Sequence, residues 1–189
     1  MSCSFRAVAI VVSAAPLFMA AVATAATTAV SAPPHLRPLT ADARAVITEL
    51  LDGSATARNM AEHLEHSDII VYIRYRSFQT ATLEGRIGLL ASATRDQRRF
   101  LILELATGRS LLQRLVALAH ELRHAVEIAD APAIIDAGTL FAHYAIIGAR
   151  TTAEFGQETF ETRSACDAAA QVRLELTSRI VRTAHHDRH

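Results

Sequence analysis

The chain has 189 residues, of which 51% are hydrophobic and 20% are charged. This composition supports a sizeable core and excludes an intrinsically disordered chain, and the length favours a single domain. Lys+Arg and Asp+Glu are both 19, so the formal net charge is zero. The sequence therefore lacks the basic excess that a nucleic-acid partner requires.

The N-terminus has the pattern of a secretory leader. Arg6 precedes an uncharged stretch over residues 7–34, and Ala23-Thr24-Ala25 fits the small-x-small pattern of a cleavage site. We predict a signal peptide over residues 1–25 and a periplasmic or secreted mature chain that begins at Ala26 and has no stable membrane span. An uncleaved membrane anchor is the alternative.

The chain contains two cysteines, Cys3 and Cys166. Cys3 would be removed with the leader. The mature chain would then keep one cysteine, which predicts that it has no internal disulfide bond.

The remaining sequence alternates between helical and strand patterns. Residues 26–38 are Ala/Thr/Pro-rich and indicate a linker, residues 39–184 form one domain, and residues 185–189 are predicted to be a disordered tail. The predicted elements, in chain order, are the helices ADARAVITELL and ATARNMAEHLEH, the strands IIVYIRYR, LEGRIGLLASA and RRFLILELA, the helices LLQRLVALAHELRHAVEIA and IIDAGTLFAHYAII, and a long helix from about Thr159 to Arg182.

This order predicts an α+β fold in which a small antiparallel sheet packs on helices. Residues 94–97 would form the turn of a hairpin between the second and third strands. Thr40, Ser54 and Ser110 precede helical patterns and are suited to N-cap positions.

The first long helix after the strands carries His120-Glu121-Leu122-Arg123-His124. Residues four apart lie on one face of a helix, so the two imidazoles can bind one ion while Glu121 faces a bound water. Apolar residues surround the motif on almost every side of the helix. Histidines in such a position need partners, and the alternative to a metal is a hydrogen-bonded pair of core histidines.

The strands followed by an HExxH helix resemble zincin metallopeptidases over the stretch RRFLILELATGRSLLQRLVALAHELRHAVEIA. The sequence is also similar to a group of uncharacterised secreted bacterial proteins that share the frame SDIIVYIRY, HELRHAVEIA and FETRSA. The resemblance implies a bound Zn2+, a peptide or protein substrate, and Glu121 as the general base.

The resemblance leaves the third zinc ligand open. A metzincin-type site would use Asp130, six residues after the second histidine of the motif. A gluzincin-type site would use a later glutamate, and the candidates are Glu154, Glu158 and Glu161. We predict Glu161, because it extends the apolar stripe of the predicted C-terminal helix by one turn, where an inward carboxylate needs a cation.

Two positions depart from the family patterns. Glu127 occupies the place of the glycine that ends the metzincin helix, and Ala165 occupies the place of the aspartate that orients a histidine ligand in gluzincins of the thermolysin type. The orientation must then come from Glu127 or from a backbone carbonyl. His143 and Tyr144 could donate to an oxyanion, or could form the polar edge of a packed helix.

The sequence therefore predicts a zinc-dependent hydrolase, most simply a peptidase, with His120, His124 and Glu161 as ligands and Glu121 as the catalytic base. If the strand RRFLILELA lies at the sheet edge, it could align an extended peptide by strand addition. The alternative is a non-catalytic, zinc-stabilised envelope protein on the same scaffold.

Overall fold

The computed structural model describes residues 8–9, 35–80, 82–93, 98–152 and 158–186. Two helices come first among the helical elements, α1 (Ala41–Gly53) and α2 (Ala55–Glu65). Thr40 caps α1 by accepting a hydrogen bond from the Ala43 backbone N–H, and Ser54 caps α2 in the same way. The sequence predicted both caps. In each, the side-chain oxygen satisfies a backbone N–H that has no partner within the helix.

A four-stranded sheet lies against the helices. Its strands are β2 (Leu36–Pro38), β3 (Ile69–Arg76), β4 (Gly85–Ala93) and β5 (Arg98–Ala106), in the spatial order β2-β3-β5-β4. The β4–β5 pair is antiparallel as predicted, whereas β2–β3 and β3–β5 are parallel. The α+β class is therefore confirmed, with a sheet that is mixed rather than purely antiparallel.

Two predictions about the strands are corrected by this topology. The predicted linker ends in a strand, because β2 pairs with β3. The edge position that strand addition at β5 would require is not found, because β5 lies between β3 and β4, and β4 is the edge strand on that side. The predicted turn over residues 94–97 lies outside the described residues.

The HExxH helix, α3, spans Leu111–Ala129 and begins with a capping box between Ser110 and Gln113. Nearly all of its residues from Leu115 onward are buried between the sheet and the C-terminal helix. Its C-terminal end is held by Arg99 of β5, whose guanidinium donates to the carbonyls of residues 128, 129, 131 and 134. Asp68 binds the same guanidinium through two hydrogen bonds of 2.7 Å.

The C-terminal part contains α4 (Ala137–Ile147), β6 (Ala149–Thr152), β7 (Glu158–Glu161) and α5 (Arg163–His186). β7 pairs antiparallel with β6 on one side and with β1 (Val8–Ala9) on the other. The predicted long C-terminal helix is therefore confirmed, but its predicted start at about Thr159 is wrong, because α5 begins at Arg163. Residues 158–161 form a strand through their pairing with β6 and β1, and Thr162 starts α5 by accepting a hydrogen bond from the Ala165 N–H.

Three further findings concern the ends of the chain. α5 continues to His186, two residues into the predicted disordered tail. Cys166 takes part in a disulfide bond, contrary to the expectation of no internal disulfide. The predicted cleavage site lies outside the described residues. Among the described helices, none combines the length and apolar character needed to cross a membrane.

Candidate metal centre

Three side chains from two distant parts of the sequence converge at α3. His120 Nε2 and His124 Nε2 are 3.2 Å apart. Glu161 Oε1, from the end of β7, lies 3.0 Å from His120 Nε2 and 3.7 Å from His124 Nε2. The structure therefore brings together the three residues that the sequence predicted as ligands, and this group could hold a metal ion.

The spacing of the three atoms can be compared with that of a tetrahedral zinc site. With metal–ligand bonds of about 2.0–2.1 Å, two ligand atoms of a tetrahedron are about 3.3 Å apart. The observed separations of 3.0, 3.2 and 3.7 Å lie around this value. A zinc ion with bonds of this length therefore fits between the three atoms without a large movement of any side chain.

The position of Glu161 has a different cause from the predicted one. The sequence placed it on the first turn of a helix, but it is the last residue of β7. Thr162 then begins the turn into α5, and its backbone N–H donates to Glu161 Oε1 over 3.1 Å. Because α5 packs along α3, the junction between β7 and α5 holds the carboxylate against the two histidines.

Glu127 orients His124 from the side opposite the ligand atoms. Its Oε2 lies 2.8 Å from His124 Nδ1 and accepts a hydrogen bond from the Tyr144 hydroxyl over 3.2 Å. Its Oε1 accepts hydrogen bonds from the hydroxyls of Thr162, over 2.7 Å, and Ser164. A carboxylate with four donors is stable as an anion, so the proton of neutral His124 is on Nδ1 and the lone pair is on Nε2.

The ionisation of this group follows from the same contacts. Burial alone would raise the pKa of Glu127, but hydrogen bonds from His124, Ser164 and Thr162 lower it to about 2. Burial alone would lower the pKa of His124, but its contacts with Glu127 and Glu161 raise it to about 9. In metal-free protein His124 therefore carries a proton, which a bound cation would displace.

Tyr144 belongs to this orienting group and not to the ligand side. Its hydroxyl lies 3.2 Å from both Glu127 Oε2 and the His124 backbone carbonyl, which share its one hydrogen, and 3.4 Å from His124 Nδ1. Burial raises its pKa well above the usual value. This placement does not support Tyr144 as a donor to an oxyanion, and favours the packed-helix alternative.

Glu121 is buried beside the histidines, and its Oε2 forms no hydrogen bond with the residues that the structure describes. Burial raises its pKa to about 7. Gly85, at the start of β4, lies directly against it, since a Cβ at that position would be 3.0 Å from both Cγ and Oε1 of Glu121. The edge strand of the sheet and the glutamate of the HExxH motif are thus in contact.

The other candidate ligands are placed elsewhere or are not described. Asp130 follows α3 as its C-terminal cap and binds His63 Nε2 over 2.8 Å at an exposed position. Glu158 lies in β7, but its side chain is outside the described residues, as is all of Glu154. Ala165 is fully buried and provides no second carboxylate.

Sequence reasoning missed three residues that shape this centre: Gly85, Thr162 and Ser164. The two hydroxyl residues, Thr162 and Ser164, are the first and third residues after Glu161. Their spacing is that of a helix N-cap region, which was the signal for a helix that begins after Glu161 and not before it.

Comparison of the chain with protein-family models, with curated proteins and with solved structures gives no match.

Proposed function

We propose that this protein is an exported zinc-dependent hydrolase, most simply a peptidase. The observation that carries the proposal is the convergence of His120 Nε2, His124 Nε2 and Glu161 Oε1 beside the buried carboxylate of Glu121. Two imidazoles and one carboxylate are a donor set of catalytic zinc sites, which keep a fourth position for water or substrate. Zinc at this position would acidify a water and polarise a carbonyl.

The proton-transfer role belongs to Glu121. One oxygen of its carboxylate forms no hydrogen bond within the described part of the chain, so it can accept a proton from a water held near the ligands and deliver that proton to a leaving amine. A base whose pKa is raised to about 7 holds and releases a proton near neutral pH. Gly85 leaves room for this side chain and would limit its movement away from the water.

Strand addition would place a peptide substrate at β4. This strand pairs with β5 along one edge, and its first residue contacts Glu121. β1 (Val8–Ala9) lies against β4 and belongs to the proposed leader, so removal of the leader would uncover this strand. An extended peptide that paired with the free edge of β4 would then run past the base and the zinc ligands. This proposal replaces the expectation that β5 would align the substrate.

A second candidate is a non-catalytic protein that binds zinc for stability. The relative exposures are 3% for His120, 3% for Glu121, 0% for His124 and 9% for Glu161. Such burial favours a structural ion, because a substrate needs access to the metal. The two candidates share the ligands and differ in whether Glu121 acts as a base.

Metal analysis of the wild type and three variants tests the ligands. Purified mature protein should contain one zinc per chain, and His124→Ala and Glu161→Ala should lose it, since each deletes a ligand atom. Asp130→Ala is the control and should keep its zinc. If Asp130→Ala released the metal while Glu161→Ala kept it, the ligand assignment would be wrong.

Glu121→Gln separates the enzyme from the structural protein. This variant should keep zinc, while its cleavage of a broad peptide library should fall by roughly 100- to 10,000-fold, the usual contribution of a general base. Wild-type protein that contains zinc and cleaves no peptide would favour the structural candidate. Equal activity in wild type and Glu121→Gln would exclude the catalytic role of this residue.

A further inference from the structure

The four-stranded sheet has two faces of very different chemistry. Side chains alternate between faces along a strand. One face carries Ile73, Leu103 and Ile87, which are almost completely buried against the helices. The opposite face carries arginines whose side chains reach the surface, and those of Arg74 and Arg76 are each 47% exposed. We call this second surface the arginine face.

Charge is segregated onto this face. The four strands contain six arginines and one acidic residue, Glu104, although the whole chain has a formal net charge of zero. Arg99 points to the helices, and the other five share the face with Glu104. The apolar residues Ile70, Ile102 and Ala106 also lie on this face. Its charged and aromatic members are Arg37, Arg74, Arg76, Arg86, Arg98, Glu104, Tyr72 and Phe100.

Three of the arginines already bind one carboxylate. Arg74 and Arg86 lie directly opposite Glu104 in the sheet register, on its two sides. Arg74 donates from Nε over 2.8 Å and from Nη2 over 2.5 Å, and Arg86 donates from Nε over 2.5 Å. Arg76 Nη1 lies 3.3 Å from both carboxylate oxygens. One negative charge thus faces three positive charges, and two remain uncompensated within this group.

Aromatic rings lie beside the arginines of this face and contact two of their guanidinium groups. Tyr72 and Phe100 stack with ring centroids 6.2 Å apart. The Arg37 guanidinium lies 5.8 Å from the centroid of Tyr72, and the Arg86 guanidinium lies 5.6 Å from that of Phe78. Such contacts fix the guanidinium planes and lower the entropy cost of binding a second anion.

We propose that the arginine face binds an extended acidic segment of a protein partner through its carboxylates. Carboxylate is the group that these arginines already hold in the case of Glu104, and the planar fork of arginine matches it. All 19 Lys+Arg residues of the chain are arginines. The proposal concerns a surface that is separate from the metal centre.

The spacing of the arginines defines the partner further. Arg74 and Arg76 are two residues apart on one strand, so their Cα atoms are separated by about 6.6 Å. Acidic side chains at alternate positions of an extended peptide have the same spacing. A segment with glutamates at every second residue therefore fits this face better than one whose acidic residues are adjacent.

A binding experiment with the metal-loaded full chain tests this proposal. The probe is a fluorescein-labelled 12-residue peptide of alternating Glu and Ser, measured by fluorescence anisotropy at low ionic strength. We expect saturable binding that weakens as salt is added, because the charges are partly exposed. Arg74→Gln/Arg76→Gln should weaken it at least fivefold, and Arg76→Gln alone should weaken it about twofold.

The control removes the same charge from the opposite side of the sheet. Arg44→Gln/Arg58→Gln changes two exposed arginines on α1 and α2 and should leave the affinity within twofold. Equal weakening in both double variants would overturn the proposal, and so would the absence of binding to wild type. Tighter binding of a single-stranded oligonucleotide or of anionic vesicles would also overturn it. Removal of zinc with a chelator should not change the affinity, so this test is independent of the proposed hydrolase.

Discussion

Replacing Glu127 with glutamine removes one charge from the candidate metal centre while keeping the size of the side chain. The native carboxylate accepts hydrogen bonds from four donors, on His124, Tyr144, Thr162 and Ser164. A glutamine has one acceptor oxygen and one amide nitrogen that donates. The two donors that face the amide nitrogen would therefore lose their acceptor. The contacts that remain change from charge-assisted to neutral, which are about half as strong.

The magnitude follows from the role of Glu127 in orienting His124. Loss of a carboxylate partner of a histidine ligand usually weakens metal binding by roughly 10- to 100-fold. At about 1.36 kcal/mol for each factor of ten, this is about 1.4–2.7 kcal/mol. Metal-free protein should also lose about 1–3 kcal/mol of unfolding free energy, because buried hydroxyls are left with a weaker acceptor.

The assay is competition for Zn2+ between the protein and a chromophoric chelator near neutral pH. Glu175→Gln is the matched control, since Glu175 also accepts hydroxyl hydrogen bonds, from Ser54 and Thr56 at the start of α2. It should lower stability without changing the dissociation constant for zinc. Unchanged zinc affinity in Glu127→Gln, or an equal change in both variants, would refute the orienting role.

Three further predictions use other parts of the molecule. Gly85→Ala should keep zinc, lower the unfolding free energy by about 1 kcal/mol and reduce peptide cleavage, because the new Cβ displaces Glu121. Unchanged cleavage activity would contradict the contact between Gly85 and Glu121. Burial opposes ionisation of Glu175, but its hydrogen bonds lower its pKa to about 2 from an ordinary value of 4.5. Its stabilisation is therefore complete above pH 4.5 and lost as the pH falls toward 2, and urea titrations should show a flatter acid limb in Glu175→Gln. N-terminal sequencing and thiol titration of exported protein should agree: a chain that begins at Ala26 should have one free thiol at Cys166, whereas a chain without a free thiol would favour retention of the N-terminus.

The amino-acid sequence by itself determined the features that depend on neighbours along the chain. Thr40, Ser54 and Ser110 placed three helix starts, because capping is a hydrogen bond within one turn. The spacing of His120 and His124 placed both imidazoles on one face of α3 for the same local reason. Glu161 was also selected from the sequence, but on the basis of a helical stripe that the structure does not contain, because this residue ends β7.

Tertiary structure decided the features that depend on pairing between distant segments. Residues 158–161 form a strand because β6 and β7 pair, and this pairing overrides the helical pattern that suggested an earlier start for α5. The position of β5 in the centre of the sheet depends on its pairing with both β3 and β4, which the order of strands along the chain does not reveal. The four donors to Glu127 come from three separate elements, so their convergence follows from the packing of α4, the β7–α5 junction and α3 around one buried carboxylate.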